Sequence, residues 1–472
     1  MERKSLNELK RNTIIIAIST LGSKAISFIL APLYSFYMTT SQYGVMDLIT
    51  TTAGLLLPFI CFDIYEGAFR YASEKEYDER TVFTTSLTLC FIETTVIAII
   101  TLILSRFINV SLMVSVSIAS AILDAYLTTL SWYARGRGRM MTFALSGVLN
   151  SIILLGLNFV FLISLKQGLN GWIISFLGAK VVVVIYLLIS LKTWKLFTIS
   201  KLDRAFTKEV LRYCLPLIPS TGFWWVMNVS DRYVISYFLG TEANGIYAVG
   251  NKLPAILSVF ENIFYQSWQT TAFKSANNKD RDKIFSEVFY NYLRFLTIGV
   301  LAILVVLKPM IIYLFAKEYS SAWVCSAVLV IAVMLHALAG NLGTLYTAFK
   351  STGGALKTSA IGAIVNTVLN IVFVPMFGFN AAAWTTVVGY LVVLFVRWHD
   401  VSHYVKMRLP NKQTLVVLVL LTVQLVLYYI PGIISYIARA SIFVGYAYIN
   451  RSMIAKLIKR YVKRSIVEEE DS

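Results

Sequence analysis

Long apolar runs follow one another along the whole chain and are separated by short polar connections. A helix needs about 20 apolar residues to cross the hydrocarbon core of a bilayer. By this measure the pattern predicts about fourteen membrane-spanning helices. Their centres lie near positions 25, 57, 94, 121, 153, 181, 224, 258, 297, 333, 366, 391, 421 and 441. No outer connection is long enough to fold by itself, so we predict an all-α integral membrane protein.

The apolar pattern also repeats once within the chain. Four motifs of the first half recur in order in the second: YGVMDLITTTAGLLLPF (43–59) with NGIYAVGNKLPAILSVF (244–260), ERTVF with RDKIF, GRMMTFALSGVLNS (138–151) with GALKTSAIGAIVNT (354–367), and GLNG (168–171) with GFNA (378–381). A duplicated block with an even number of spans keeps the same topology in the membrane. We therefore predict two pseudo-symmetric six-helix bundles around a central cavity, followed by two extra C-terminal helices.

The repeat sets the predicted domain boundaries. We expect an N-lobe at 1–195, a cytoplasmic linker at 196–208, a C-lobe at 209–405, the last two spans at 406–450 and a cytoplasmic tail at 451–472. The tail combines a basic amphipathic stretch, suited to anionic lipid, with an acidic end.

The charge balance supports the same interpretation. Only 14% of the residues are charged, whereas about a quarter are charged in a soluble domain. The net charge of +17 would suit a nucleic-acid-binding protein, but most of the 42 Lys and Arg lie in alternate connections. That is the positive-inside distribution of a membrane protein. It predicts cytoplasmic N- and C-termini and no nucleic-acid partner.

Three stretches resemble the polysaccharide-transporter branch of the multidrug/oligosaccharidyl-lipid/polysaccharide (MOP) exporter superfamily. They are NTIIIAISTLGSKAISFILAPLYSFYMTTSQYGVMDL (12–48), EGAFRY (66–71) and GIYAVGNKLPAILSVFENIFYQSW (245–268). This branch contains the O-antigen and capsule repeat-unit flippases and is related to the lipid II flippases. The resemblance covers about residues 8–405. It implies a multi-pass protein of the bacterial cytoplasmic membrane, but no particular cargo.

Basic residues within the predicted spans are candidates for contacts with an anionic cargo. Lys24 lies mid-span, too deep to reach the headgroups easily, and a lone cation there usually faces a water-filled cavity. The alternative for Lys24 is an internal ion pair with Glu93 or Asp124. Cationic side chains suit the phosphates of a lipid-linked substrate, and we expect some of this set to pair internally instead. The candidate substrate-binding residues are Lys24, Lys180, Arg232, Lys252 and Arg294.

Charges near the end of the second span predict a gate or mouth. Asp63, Glu66 and Arg70 are spaced i, i+3 and i+7, so they would share one helical face. In the simpler interpretation Arg70 snorkels to the interface and pairs with Glu66. This interpretation does not explain why the acid Asp63 lies deeper in the span. The connection YARGRGRM fits the positive-inside distribution and also suits pyrophosphate headgroups. It adds three cations to the mouth: Arg135, Arg137 and Arg139.

The resemblance also implies a site for a coupling ion. Lipid II flippases of the superfamily bind sodium through an Asp in the seventh span, polar residues one turn apart in the eleventh and a Thr in the twelfth. The similar residues here are Asp231, Asn366, Asn370 and Thr386. Asn370 stands where the family pattern has an acid. In the alternative, the asparagines simply make interhelical hydrogen bonds. His336 is expected to be a packed or pore-facing polar residue.

These features favour a transporter rather than an enzyme, because the sequence contains no P-loop and no catalytic arrangement of carboxylates or nucleophiles. We predict a flippase for a polyprenyl-pyrophosphate-linked oligosaccharide that works by alternating access. Sodium or a proton would be the coupling ion, with no other cofactor. Its partners would be the lipid-linked glycan, membrane lipids and the polymerase or other glycan-assembly proteins. The main alternative is a MATE-type cation-coupled multidrug antiporter. A membrane-embedded polymerase or glycosyltransferase would need a sizeable outer loop or an acidic sugar-nucleotide site, and the sequence shows neither. A scaffold alone would not explain the repeat and the buried charges.

Overall fold

The computed structural model describes residues 2–74, 76–107, 109–275, 278–349 and 352–453, and in these ranges the chain contains helices and no β-strand. The helices up to the central linker are α1 (Glu2–Tyr37), α2 (Thr40–Ile60), α3 (Ile64–Ser73), α4 (Glu79–Phe107), α5 (Leu112–Gly136), α6 (Met140–Asn158), α7 (Gly168–Ser190), α8 (Thr193–Leu196) and α9 (Arg204–Cys214). The later helices are α10 (Ile218–Gly250), α11 (Ala255–Ser275), α12 (Arg281–Leu314), α13 (Ala322–Ala348), α14 (Thr352–Phe377), α15 (Phe379–Val401), α16 (Asn411–Tyr429) and α17 (Ile433–Ile449).

Ten spans in the described part of the chain are long and apolar enough to cross a membrane. The chain is therefore a multi-pass, all-helical membrane protein. The predicted spans centred near 25, 224, 258 and 441 fall on α1, α10, α11 and α17, which are helical but are not among the ten. The total of fourteen spans and the pseudo-symmetry remain predictions.

The helices differ in how much of their surface other helices cover. In α13, 67% of the membrane-spanning window is buried within the protein, whereas in α4 the share is 17%. The exposed side chains of α4 are large and apolar, as at Leu102 and Ile103. Such a surface is stable against lipid rather than water. Consequently α4 is a lipid-facing helix, and α13 is central to its part of the molecule.

The second predicted span is interrupted, which corrects the expectation of one continuous charged face. Helix α2 ends at Ile60 and α3 begins at Ile64. Between them Phe62 and Asp63 have positive φ values of 42° and 52°. Asp63 therefore precedes the first turn of α3 and does not share a helical face with Glu66 and Arg70. Asp tolerates this left-handed conformation better than most residues, and the sequence pattern of apolar positions does not reveal it.

The chain forms two compact units. The first contains Met1–Ser236 and Gly240–Gly245, and the second contains Tyr237–Leu239 and Ile246–Ser472. The first unit thus includes the predicted linker and also the beginning of the predicted C-lobe. Amphipathic α9 begins in that linker, extends into the predicted C-lobe, and buries Phe206 and Val210 in the core of the first unit. The part of the predicted tail beyond Met453 is outside the described residues.

Candidate functional site

Lys180, a predicted cargo contact, forms a buried ion pair within the first unit. Its Nζ lies 2.6 Å from Asp124 Oδ2 and donates a hydrogen bond to Ser120 Oγ at 2.7 Å. The same ammonium lies 4.1 Å from the ring centre of Phe176. These contacts join α7 to α5. The pair satisfies a charge that would otherwise be costly inside the membrane.

Arg232, a second predicted cargo contact, lies between two carboxylates. Its Nε is 2.8 Å from Asp47 Oδ2, and its Nη1 is 3.5 Å from Asp231 Oδ1. Only 13% of the Arg232 side chain and 7% of the Asp47 side chain are exposed. The flexible arginine stem lets adjacent residues on α10 interact, although their backbone directions diverge. The arrangement links α10 to α2 and engages Asp231, the acid of the predicted sodium site.

Lys24 differs from these two residues. It is exposed on α1, and among the described residues its ammonium has no ion pair with Glu93, Asp124 or any other acid. Inside a membrane, an exposed ammonium must face water or a polar ligand rather than lipid. Lys24 therefore has the geometry of a cation that is available to a solute.

Arg294 and Lys252 belong to the second unit. Arg294 lines a cavity of about 410 Å³ between α12, α16 and α17. Its Nε donates to Asn450 Oδ1 at 2.6 Å, and its guanidinium lies 5.4 Å from the ring centre of Tyr290. Gln413 adds a further polar group to the cavity, and apolar side chains of α16 and α17 complete it. Lys252 is partly buried in the turn between α10 and α11.

The break between α2 and α3 contains a buried carboxyl group. Asp63 is 1% exposed, and its Oδ2 accepts a hydrogen bond from Thr221 at 3.3 Å. Its Oδ1 has no hydrogen-bond partner among the described residues, and the same is true of Glu93 Oε2 on α4. Burial without a partner favours the protonated form of a carboxyl group.

The predicted mouth residues make a set of local contacts rather than one network. Arg70 pairs with Glu74 at 3.5 Å instead of Glu66 and lies 4.5 Å from the Tyr213 ring. Glu66 interacts electrostatically with Arg135, whose guanidinium covers the ring of Phe69 at 4.8 Å. The Glu66–Arg70 pairing expected from the sequence is therefore wrong, because Glu74 lies one turn beyond Arg70 on the exposed side.

Arg137 and Arg139 anchor the connection after α5 to the start of α4. Arg137 Nη2 donates to the Tyr77 carbonyl at 3.3 Å, and Arg139 Nη2 lies 3.7 Å from Glu79 Oε1. Asp78 lies in the same region, ahead of α4. Desolvation is the largest single effect and raises its pKa, but hydrogen bonds from Thr81 and the nearby cations together outweigh it and hold the pKa below its ordinary value. The acid thus stays charged at this basic surface.

Three of the predicted ion ligands meet between α14 and α15. Asn366 Nδ2 donates to Thr386 Oγ1 at 3.3 Å, and Asn370 Nδ2 donates to Asn366 Oδ1 at 3.1 Å. Thr385, which the sequence did not single out, donates to Asn370 Oδ1 at 2.7 Å. All four side chains are buried. The set holds two helices together, and Asp231 belongs to the other unit.

The sequence and fold match known membrane proteins. Residues 9–268, more than half of the chain, match the family described as polysaccharide biosynthesis protein. The chain belongs to this family. Among curated protein sequences, none matches it significantly.

Solved structures of the MOP superfamily share the fold of this polysaccharide biosynthesis protein. Lipid II flippase MurJ in an inward closed conformation has a TM-score of 0.70 at 15% identity, covering 93% of this chain and 100% of that chain. A multidrug resistance MATE family transporter in an inward-facing conformation has a TM-score of 0.66 at 15% identity, covering 82% and 95%. An outward-facing MATE family transporter has a TM-score of 0.60 at 16% identity, covering 83% and 94%.

The chain is therefore a multi-pass membrane protein of the polysaccharide biosynthesis family, and its fold is similar to those of lipid II flippase MurJ and of MATE family transporters. The low identities establish the fold alone, so the individual roles of the charged residues rest on their own geometry.

The structure also shows contacts between mostly buried polar residues that the sequence did not predict. His336 Nδ1 on α13 lies 2.8 Å from Glu261 Oε1 on α11. Arg397 is 1% exposed and donates to the Ala339 carbonyl at 2.7 Å and to Ser359 Oγ at 2.9 Å. The partners in these contacts are 38 or more positions apart in the sequence, and no local spacing signals them. The sequence singled out His336 as a polar residue within a span, whereas it did not single out Arg397.

Proposed function

We propose that this protein is a flippase that moves a polyprenyl-pyrophosphate-linked oligosaccharide from the cytoplasmic to the outer leaflet of the bacterial cytoplasmic membrane. The match of residues 9–268 to the polysaccharide biosynthesis family carries the proposal. The likeness to a lipid II flippase supports it, because that fold covers 93% of this chain, whereas the inward-facing MATE fold covers 82%. The glycan and phosphates enter a polar cavity while the lipid tail stays in the bilayer.

Alternating access requires a contact that can close and open. A candidate lies within the first unit, where the start of α2 meets the segment after the break in α10. Ser41 Oγ and Thr241 Oγ1 are 2.7 Å apart, and Asn244 Nδ2 donates to the Gly44 carbonyl at 3.0 Å. The break in α10 is at Gly240, whose φ is 86°. Ser41 lies in TTSQ (39–42) and Thr241 in GTEAN (240–244), two short stretches without Lys or Arg that the positive-inside distribution predicts to be outer, so this contact is the proposed outer gate. Its small side chains allow two backbones to meet and separate without leaving a charge unpaired.

The proposed cargo contact with most support is Lys24. Its ammonium is exposed and has no acidic partner among the described residues, whereas Lys180 and Arg232 form ion pairs inside the protein. A pyrophosphate brings negative charge that could compensate Lys24 during transport. We assign Lys180 and Arg232 to holding helices together, and their predicted direct contact with cargo is left to experiment.

Arg294 offers a second phosphate contact in the second unit. Its cavity is lined both by cationic, amide and hydroxyl groups and by apolar side chains of α16 and α17. This combination matches a lipid with a phosphorylated headgroup. Such contacts would fit a cargo that keeps its tail in the bilayer.

The antiporter is the second candidate function, and the two buried acids favour it. Asp63 and Glu93 each have an oxygen without a hydrogen-bond partner among the described residues. A MATE-type transporter of cationic drugs would use such acids for protons or cargo. The family match and the exposed Lys24 both favour an anionic cargo instead, since a lone cation repels a cationic drug.

Depletion of the protein in its native host separates the two functions. Mass spectrometry of the polyprenyl-linked glycans would then show one complete repeat unit accumulating, together with loss of the matching surface polymer. Complementation by the wild-type gene should return both to normal. Unchanged lipid-linked pools, with increased sensitivity to cationic drugs, would instead support the antiporter. The identity of the accumulating glycan would also name the cargo.

A further inference from the structure

The second unit contains a histidine and a carboxylate in direct contact within its helices. His336 Nδ1 on α13 lies 2.8 Å from Glu261 Oε1 on α11. The His336 side chain is 23% exposed, and that of Glu261 is 12% exposed. α13 is among the most buried of the membrane-spanning helices described. Both side chains are therefore mostly buried within the protein but are not fully enclosed.

Groups from α12 and α15, the helices that pack most closely against α11 and α13, surround this pair. Tyr390 of α15 meets the His336 ring edge-on, with 5.0 Å between ring centres. From α12, Tyr292 is near enough to interact with the charge of Glu261, and its buried hydroxyl has no hydrogen-bond partner among the described residues. Gly340, one turn after His336, leaves space beside Glu261 Oε1. Neighbouring Arg397 is held by the Ala339 carbonyl and two hydroxyl groups.

The charges around Glu261 make His336 its only ion-pair partner in the described part of the chain. Adding one proton to the imidazole creates an imidazolium–carboxylate pair, and removing it leaves one carboxylate without a counter-charge. An uncompensated charge inside a protein is costly. Protonation of this pair therefore changes the stability of the helix arrangement around α11 and α13. Histidine is also the side chain that ordinarily changes charge between about pH 5 and 8.

The chemistry suits a proton better than a metal cation. Hard cations such as sodium need several oxygen ligands, but this pair offers one carboxylate and one ring. No group of three or more His, Cys, Asp or Glu that could hold a metal ion occurs among the described residues. The Asn366–Asn370–Thr386 set has oxygen atoms, but these already take part in hydrogen bonds within the set, with Thr385 and with the Ala382 carbonyl.

We propose that His336 and Glu261 form the proton-binding site of the transport cycle, and that a proton is the coupling ion. One proton from water binds the imidazole of His336 on one side of the membrane and is released to water on the other. No other bond changes in this step. The buried hydroxyl of Tyr292 is a further polar group that interacts with the charge of Glu261. This inference rests on the proposed transport function but needs no particular cargo.

Spin-label distance measurements at the proposed outer gate test the site without cargo. Labels at positions 41 and 241, in a variant whose four native cysteines are serine, would report the gate distance in lipid nanodiscs. We expect the ratio of short to long distances to change about tenfold between about pH 5.5 and pH 8. His336→Gln and Glu261→Gln should each remove most of that change. Both amide variants preserve side-chain size, and their melting temperatures would verify that they fold.

The two other histidines provide the matched control. His399 and His403 are exposed, so the His399→Gln/His403→Gln double variant should keep the full pH response. A wild-type gate ratio that does not depend on pH would overturn the proposal. The same conclusion would follow if folded His336→Gln and Glu261→Gln variants kept the wild-type response. Either result would leave the flippase proposal intact, because depletion and mass spectrometry test that function separately.

Discussion

The backbone of Gly44 lies directly against that of Gly245. A Cβ atom on Gly44 would be 2.9 Å from the Gly245 nitrogen and 1.9 Å from the Thr241 oxygen. A Cβ atom on Gly245 would be 1.9 Å from the Thr40 oxygen. The two glycines occupy matching positions in the repeated motifs YGVMDL and NGIYAV. Each therefore removes the side chain that would block the other segment at the proposed outer gate.

Larger residues at either glycine should open this contact and impair export. Gly44→Val and Gly245→Val each place atoms where a backbone oxygen lies, so the two segments must separate. We expect export of the surface polymer to fall about tenfold or more, with protein level unchanged. Gly156→Ala is the matched control, because a Cβ atom there meets nothing within 4 Å. Normal export by both valine variants would contradict the importance of this contact.

A covalent link across the same contact should stop transport reversibly. Ser41 and Thr241 have hydroxyl oxygens 2.7 Å apart, which is close enough for a pair of cysteines to form a disulfide after a small adjustment. The Ser41→Cys/Thr241→Cys variant should lose export under oxidising conditions and regain it with a reductant. The native cysteines are buried, and each single-cysteine variant serves as a control. Undiminished export by the fully cross-linked protein would rule out movement at this position.

The Asp47–Arg232 ion pair should be needed for stability. Asp47→Asn leaves a largely buried guanidinium without its nearest carboxylate, and breaking such a pair costs about 3–5 kcal/mol. A lower melting temperature in detergent would measure this cost. The exchange Asp47→Arg/Arg232→Asp should recover part of it. If Asp47→Asn keeps wild-type stability but abolishes export, Arg232 acts on cargo as the sequence first suggested.

Lys24 and Lys180 should respond differently to substitution. Lys24→Ala removes an exposed cation, and loss of a charge-assisted contact of about 1.5–3 kcal/mol predicts export at least tenfold lower without loss of stability. Lys24→Arg, which keeps the positive charge, should retain most of the export. Lys180→Ala should destabilise the protein, because Asp124 loses its partner, whereas Lys180→Met/Asp124→Leu should restore folding and export. A stable double variant that cannot export would make Lys180 a cargo contact.

The polar set between α14 and α15 allows a test of the predicted sodium site. Thr385→Val leaves the buried Asn370 Oδ1 without its shortest hydrogen bond, which should cost about 1–3 kcal/mol of stability. If sodium binds here, replacing choline with sodium should raise the melting temperature, and Asn366→Ala should remove that rise. The proton-binding proposal predicts the same melting temperature in both salts.

The helical architecture could be predicted because it depends on local composition. Every predicted span centre falls on a helix of the structure, since lipid requires a continuous run of apolar residues and internally paired backbone groups. The interruption at Phe62 and Asp63 could not be predicted, because surrounding packing, and not the apolar pattern, stabilises two positive φ values there. The expected Glu66–Arg70 contact was wrong for a related reason: Arg70 could reach Glu74 as well as Glu66, and the sequence does not show which acid it meets.

The sequence identified single charged residues of the candidate sites but not the partners with which they pair. Lys180, Arg232 and His336 are unusual within spans, which identified them from the sequence. Their partners Asp124, Asp47 and Glu261 lie on other helices, and helix packing determines which of the available acids each one meets. A single sequence contains no direct signal for such pairs. The same limit explains why Lys24 could be identified as a cation while its exposure could not.

The most direct test of the central claim measures on which leaflet the lipid-linked glycan resides. Cells depleted of the protein would be converted to spheroplasts and treated with a membrane-impermeant glycosidase or periodate. We predict that the accumulated repeat unit stays protected until the membrane is opened, whereas after re-expression of the wild-type protein part of it becomes accessible from outside. Re-expressed Lys24→Ala should leave it protected. A repeat unit that is equally accessible from outside in depleted cells would contradict the flippase function.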